Sequence, residues 1–106
     1  MIIVQENKSI RESKLYRTDR DSLEEFVTEV NSRKIREFTI NSGETVCVIS
    51  KIPQNKILVT LSSNHLNVYC GTAEFRVEIR TISGLEQTSS CFFIITKNKT
   101  CIWFKL

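Results

Sequence analysis

Residues 91–106 read CFFIITKNKTCIWFKL, in which two apolar runs flank a short polar, basic segment. This arrangement predicts a β-hairpin. On the second strand, one face carries Ile102, Phe104 and Leu106, and the other carries Cys101, Trp103 and Lys105. A loop of two or four residues adds Cys91, Phe93 and Ile95 to the first face, whereas a loop of three adds Phe92 and Ile94. Both registers give one wholly apolar face, which we expect to lie in the core.

The opposite face of the hairpin carries Trp103 and has two possible fates. The simpler expectation is that a helix over residues 22–34 covers it. The alternative is an exposed aromatic patch of the kind that anchors protein interfaces, with Trp103 and Lys105 in contact with a partner.

The clearest helical pattern is DSLEEFVTEVNSRK, residues 21–34. Its apolar side chains Leu23, Phe26, Val27 and Val30 recur at the spacing of one helical face. Ser22 and Glu25 have the spacing of a capping box. The segment predicts an amphipathic helix of about three turns.

After Ile35 the apolar pattern alternates with a period of two, which predicts strands. The strand-like runs are 35–40, 45–52, 56–61, 66–70 and 73–82, followed by a loop over 83–90 and the final hairpin. Their short connections predict antiparallel pairing. The chain is therefore expected to be a single α+β domain over residues 1–106, with one amphipathic helix packed on a curved, mostly antiparallel sheet of about six to eight strands. Residues 1–20 are expected to form short strands, at Ile2–Gln5 and Lys14–Arg17, or a partly ordered arm.

The composition is that of an ordinary folded domain. The chain has 106 residues, of which 41% are hydrophobic and 25% charged, and its net charge is +3. The N-terminus lacks the hydrophobic segment of a secretory signal, and no apolar run approaches the length of a membrane span. We therefore expect a cytoplasmic domain that does not contact a membrane.

The four cysteines, Cys47, Cys70, Cys91 and Cys101, form no C-x-x-C pair, and the chain has one histidine. This pattern does not favour a zinc site. Because the cysteines lie in or beside apolar strand-like segments, we expect four reduced, structural thiols and no metal or other cofactor.

Nucleic-acid binding is an alternative that depends on residues 7–20. Five basic residues recur there every third position, at Lys8, Arg11, Lys14, Arg17 and Arg20, with Tyr16 among them. Such a row can contact phosphates while the ring stacks on a base. Four acidic residues in and beside the same segment leave a small net charge, so a solvated segment is the simpler explanation.

His65 lies in the predicted turn SSNHLN. A histidine can act as general base in an RNase-like reaction, but that chemistry also needs an orienting partner and a group that stabilises charge. The neighbouring sequence supplies neither at a recognisable spacing, so no catalytic residue is predicted.

Two charged surfaces are further candidates for partner contact. In AEFRVEIR, apolar residues alternate with the charged residues Glu74, Arg76, Glu78 and Arg80. This alternation predicts a solvent-exposed, charged sheet face. Glu24, Glu25 and Glu29 give the predicted helix an acidic side.

No motif with specific chemistry is present, so the preferred expectation is a non-enzymatic protein-binding domain. Small size without catalytic motifs is typical of inhibitor and immunity proteins, which bind and neutralise or regulate a protein partner such as a toxin or effector. The alternatives are a small basic protein that binds or cleaves RNA, and a structural subunit that self-associates through its terminal hairpin.

Overall fold

The computed structural model describes residues 13–43, 46–50 and 57–106. These residues form one helix, one short 3-10 turn and nine strands. In chain order the elements are β1 Lys14–Tyr16, α1 Arg20–Asn31, β2 Glu37–Asn41, β3 Val46–Ser50, β4 Ile57–Leu61, β5 His65–Cys70, β6 Ala73–Glu78, the 3-10 turn Ile79–Thr81, β7 Ile82–Gln87, β8 Cys91–Thr96 and β9 Cys101–Lys105.

The strands form two sheets. One has six strands in the order β1-β7-β8-β9-β2-β3, and the other has three in the order β4-β5-β6. Every pairing among the described strands is antiparallel. The predicted α+β domain with one helix and a terminal hairpin is therefore confirmed. The strands are divided between two sheets, whereas a single curved sheet was expected.

The terminal hairpin has the register of a three-residue loop. Phe92 pairs with Phe104 and Ile94 pairs with Ile102. The amide of Thr96 donates to the carbonyl of Thr100 at 2.9 Å, which closes the loop over residues 97–99. All four paired apolar side chains are buried, as the predicted core face requires.

One core joins the helix and both sheets. Leu23, Phe26 and Val30 of α1 are buried, and the Phe26 ring meets the Phe92 ring edge-on at 5.6 Å between centroids. Elsewhere on the six-stranded sheet, the Phe38 ring lies 5.3 Å from that of Phe75 of the three-stranded sheet. The inner face of the large sheet is thus covered partly by the helix and partly by the small sheet. The 12-residue α1 is neither long nor apolar enough to span a membrane, and the described residues contain no other helix that could.

The helix begins earlier than the sequence predicts. Asp19 is the N-cap, so Ser22 lies inside the first turn, and the predicted capping box of Ser22 and Glu25 is wrong. Aspartate caps a helix about as well as serine, so sequence preference alone does not separate the two positions.

Two further differences concern strands. The predicted strand 73–82 ends at Glu78, where the chain enters the 3-10 turn, and the predicted loop 83–90 contains most of β7. The short strand predicted at Lys14–Arg17 is present as β1, and the one at Ile2–Gln5 lies outside the described residues.

Candidate functional site

The outer face of the six-stranded sheet is largely apolar. Its central row runs across the strands in register, because Leu15 pairs with Glu86, Glu86 with Phe93, Phe93 with Trp103, and Trp103 with Thr39. The next row pairs Ile95 with Cys101. We call this surface the tryptophan face and define it by Leu15, Phe93, Ile95, Cys101 and Trp103.

Several side chains of the tryptophan face are strongly exposed. Leu15 is 76% exposed, Trp103 is 41% exposed and Ile95 is 39% exposed. The expectation that the helix covers Trp103 is therefore wrong, since α1 packs on the opposite side of the sheet. The hairpin sequence allows both outcomes, because the side of a sheet on which a helix lies depends on contacts distant in sequence.

Contacts within the tryptophan face hold the indole in place. The Phe93 and Trp103 rings meet edge-on with centroids 5.8 Å apart. The indole N–H donates to Cys101 Sγ. Lys105 is exposed at the rim and pairs with Glu37 of β2 in the sheet register. The centre of the face therefore presents an ordered aromatic pair with charges at its border.

Cys101 does not have the character of a reactive thiol. Burial raises the pKa of the Cys101 thiol, and the contact from the Trp103 indole only partly opposes this shift. A raised pKa disfavours the nucleophilic thiolate. The thiol serves this surface as a small, polarisable contact for the indole.

The outer face of the three-stranded sheet is a second and chemically different surface. Across β5 and β6, His65 pairs with Glu78, Asn67 with Arg76, and Tyr69 with Glu74. Members of such a pair project from the same side of a sheet. The charged face predicted from AEFRVEIR is thus shared with polar and aromatic side chains of β5, among which Asn67 and Tyr69 were missed by sequence reasoning.

Asn67 organises the middle of this surface. It is only 6% exposed, its amide nitrogen donates to Thr60 Oγ1 at 3.4 Å, and its oxygen accepts from Arg76 Nε at 3.3 Å. The guanidinium of Arg76 is thereby held against the sheet.

At one end of this sheet, a depression is lined by Ser63, Asn64, His65, Glu78, Ile79 and Arg80. We call it the histidine depression. Its shape is fixed by the amide of Ile79, which donates to the carbonyl of Asn64 at 2.9 Å. Arg80 lies in the 3-10 turn, where its Nε donates to Glu78 Oε2 at 2.8 Å. The fold thus supplies the acidic and basic neighbours that the sequence around His65 does not reveal.

Arg20 lies near the same end. Its Nη1 donates to the carbonyl of Ser62, one residue before the depression, at 2.8 Å. Arg20 of the predicted nucleic-acid set is thereby bound to the start of the turn that leads to His65, although 42 positions separate Arg20 from Ser62.

The other members of the predicted basic row that the structure describes do not form one surface. The Tyr16 ring is buried and packs edge-on against Phe26, so it offers no face on which a base can stack. Lys14 forms an ion pair with Glu25, and Arg17 is exposed outside the histidine depression. Lys8 and Arg11 lie outside the described residues.

The acidic side of the helix is neutralised by neighbouring cations. Glu24 lies 3.6 Å from Arg20, and Glu29 lies 3.7 Å from Arg33. With Glu25 paired to Lys14, each of the three predicted contact acids already has a basic partner.

Among the described residues, no group of three histidine, cysteine, aspartate or glutamate side chains is arranged to hold a metal ion. The chain matches no protein-family model, no curated protein and no solved structure.

Proposed function

We propose that this chain acts through its tryptophan face as a protein-binding domain, of the inhibitor or immunity type, that docks a protein partner there. The observation that carries the proposal is the exposure of Trp103 and its neighbours on the side of the six-stranded sheet that faces away from the core.

The chemistry of this face supports a docking role. An antiparallel sheet with one solvated face normally alternates apolar and polar side chains, so the outer face is polar. Here the row around Phe93 and Trp103 is apolar on the outside as well. Removal of such apolar surface from water favours association with a partner. Tryptophan is also the residue type in which binding energy is most often concentrated.

The border of the face supports specificity. At the border, Lys105 stands beside Glu37 in the sheet register. Glu86 lies within the row between Leu15 and Phe93, where its carboxylate accepts a hydrogen bond from Ser13 at 2.8 Å. An apolar centre with a polar rim is the usual anatomy of a protein interface. The alternative hypothesis of a self-associating subunit assigns the same apolar centre to contact with a second copy of the chain.

The test begins with capture of a partner from the source cells on the immobilised chain, followed by measurement of its affinity in purified form. We expect Trp103→Ala to weaken binding at least 30-fold, since truncation of a central tryptophan costs about 2 kcal/mol or more. Leu58→Ala is the matched control, because Leu58 is 52% exposed on the other sheet, and we expect its affinity to be that of the unaltered chain.

Two results contradict the proposal. One is equal affinity of the captured partner for the Trp103→Ala variant and the unaltered chain. The other is a concentration-dependent homodimer in light scattering that Trp103→Ala dissociates and that the captured protein does not displace. That second result assigns the tryptophan face to self-association.

A further inference from the structure

We propose that the histidine depression cleaves the phosphodiester backbone of single-stranded RNA, with His65 and Glu78 as the acid–base pair. This activity goes beyond the protein-binding function and uses a different surface, on the outer face of the three-stranded sheet.

The acid–base pair is set by strand register. His65 and Glu78 are direct partners in the β5–β6 pairing, so their Cβ atoms lie about 5 Å apart on one face. Both line the depression, where His65 is partly exposed and Glu78 is exposed. A carboxylate and an imidazole side by side provide one group to accept a proton and one to donate it.

Cationic and polar groups surround this pair. Arg80 uses Nε to contact Glu78, and its side chain is 84% exposed. Among the described residues, its two terminal nitrogens have no hydrogen-bond partner, and a guanidinium presents five donors in total. Ser63 and Asn64 add a hydroxyl and an amide to the lining. These groups suit the non-bridging oxygens of a phosphate and the charge that develops there during attack.

The site fits a substrate that carries its own nucleophile. The depression has an acid–base pair and a cation, and the described residues provide no cluster for a metal ion. RNA supplies the nucleophile as its 2′-hydroxyl group. This oxygen forms a bond to phosphorus while the bond from phosphorus to the 5′-oxygen breaks. The 2′-hydroxyl proton passes to the Glu78 carboxylate, and the His65 imidazolium gives a proton to the leaving 5′-oxygen. The products are a 2′,3′-cyclic phosphate and a free 5′-hydroxyl.

The same sheet face continues away from the depression and provides a binding surface for the neighbouring nucleotides. Asn67 and the Arg76 that it holds lie two positions along the strands, roughly 7 Å from His65 and Glu78. Tyr69 follows two positions further and is 37% exposed. A guanidinium for the next phosphate and a ring for base stacking therefore lie in line with the depression.

The test uses a single-stranded oligoribonucleotide of mixed sequence, labelled with a fluorophore and a quencher, in a buffer that contains a metal chelator. We expect cleavage with cyclic-phosphate ends, and at least 100-fold slower cleavage by His65→Ala and by Glu78→Gln, since each proton transfer contributes 10²–10⁴-fold. An oligonucleotide with 2′-deoxyribose throughout is expected to stay intact, because it lacks the nucleophile.

Glu25→Gln is the matched control for Glu78→Gln, because Glu25 is also an exposed carboxylate in an ion pair. We expect Glu25→Gln to cleave at the rate of the unaltered chain, and circular dichroism checks that every variant is folded. The proposal is overturned if the unaltered chain cleaves no faster than buffer, if His65→Ala and Glu78→Gln retain full activity, or if the deoxy oligonucleotide is cut equally well. Because His65 and Glu78 lie on the other sheet from the tryptophan face, failure here is distinguishable from failure of protein binding.

Discussion

Lys99, in the loop of the terminal hairpin, adopts an unusual backbone conformation. It is the only non-glycine residue with positive φ in the described part of the chain, at 68°. The amide of Lys99 donates to the carbonyl of Thr96 at 3.0 Å, so the left-handed conformation belongs to the turn itself. This conformation costs a residue with a side chain roughly 1–2 kcal/mol relative to the right-handed region.

We expect Lys99→Gly to stabilise the fold. Glycine removes the steric cost but loses about 0.5–1 kcal/mol in chain entropy, so the net gain is about 0.5–1 kcal/mol. Chemical denaturation measures this change as a raised midpoint at constant slope. The neighbouring substitution Lys97→Gly is the control and should bring no gain, and an equal or larger gain there would contradict the explanation.

The same residue explains why the sequence leaves the hairpin register open. A three-residue loop usually has glycine at its left-handed position, and here that position is Lys99. Without the glycine, the alternation of apolar residues predicts a hairpin but does not choose between Phe92 and Phe93 as the buried residue. The structure chooses Phe92, and Phe93 thereby joins the tryptophan face.

At the scale of elements, the end of α1 is joined to strand β4 through one side chain. The amide nitrogen of Asn31 donates to the carbonyl of Val59 at 2.8 Å, and the amide of Val59 donates to the Asn31 oxygen at 2.9 Å. β4 is an edge strand of the small sheet, so its outer backbone groups lack a neighbouring strand. The Asn31 side chain takes the place of that neighbour at one position.

We expect Asn31→Ala to lower the free energy of unfolding by about 1–3 kcal/mol, because it removes two hydrogen bonds and leaves the Val59 backbone groups without their partner. Asn31→Asp keeps the acceptor for the Val59 amide, but it sets a carboxylate oxygen against the Val59 carbonyl at the C-terminal end of the helix, so its loss should be at least as large at neutral pH. Denaturant titration of the three proteins measures both differences. Unchanged stability in Asn31→Ala would show that water replaces the amide without cost.

The contacts that β1 makes with its neighbours should make the free energy of unfolding decrease at alkaline pH. Burial raises the pKa of the Tyr16 hydroxyl above its ordinary 10.0, and the hydrogen bond to Glu25 raises the pKa of Lys14 above 10.5. Since both groups bind protons more tightly in the folded chain, their stabilisation is complete below the ordinary values and is lost as the pH rises through the folded values.

Tyr16→Phe isolates the tyrosine contribution to this dependence. The variant should be less stable at neutral pH by about 1 kcal/mol, because the hydroxyl donates to Gln87 Oε1 at 2.6 Å. It should also lose less stability than the unaltered chain as the pH rises above 10.0. Denaturation midpoints along a pH series measure both effects, and identical slopes for the two proteins would contradict the assignment to Tyr16.

Strand β7 shows where the sequence pattern fails. The segment from Ser83 to Ser90 contains one glycine and four serine or threonine residues and predicts a loop. In the structure, Ile82–Gln87 is a strand held by β1 on one side and β8 on the other, with an irregularity between Ile82 and Gly84. Pairing on both edges overrides the weak strand preference of these residues. The helix and the strands with clear alternation were predicted, because their local sequence pattern alone favours the observed structure.

At the scale of the whole molecule, the two candidate surfaces face away from one shared core. The inner faces of both sheets and the helix bury a single cluster of apolar side chains, so both outer faces are left to solvent. A partner on the tryptophan face therefore does not occupy the histidine depression.

The candidate residues were predicted to different extents for a physical reason. Alternation alone places Trp103 on the face of β9 opposite the core and identifies the charged face of β6, whereas the exposure of Trp103 depends on the side of the sheet that the helix covers. The proximity of His65 and Glu78 depends on strand pairing, and the contact of Arg20 with Ser62 depends on where the helix begins. The exposure of Leu15 could not be predicted from the sequence, because it depends on which face of β1 packs against the core.

The position of Trp103 determines which events tryptophan fluorescence can report in this protein. Trp103 is the chain's single tryptophan, is already 41% exposed, and contacts the Cys101 thiol, a quenching group. Its emission wavelength should therefore shift little when the chain unfolds, and denaturation followed at that wavelength will understate the loss of structure. A ligand that covers the indole moves it into an apolar environment and should shift its emission to the blue. The protein thus carries an optical probe that is suited to binding and poorly suited to folding.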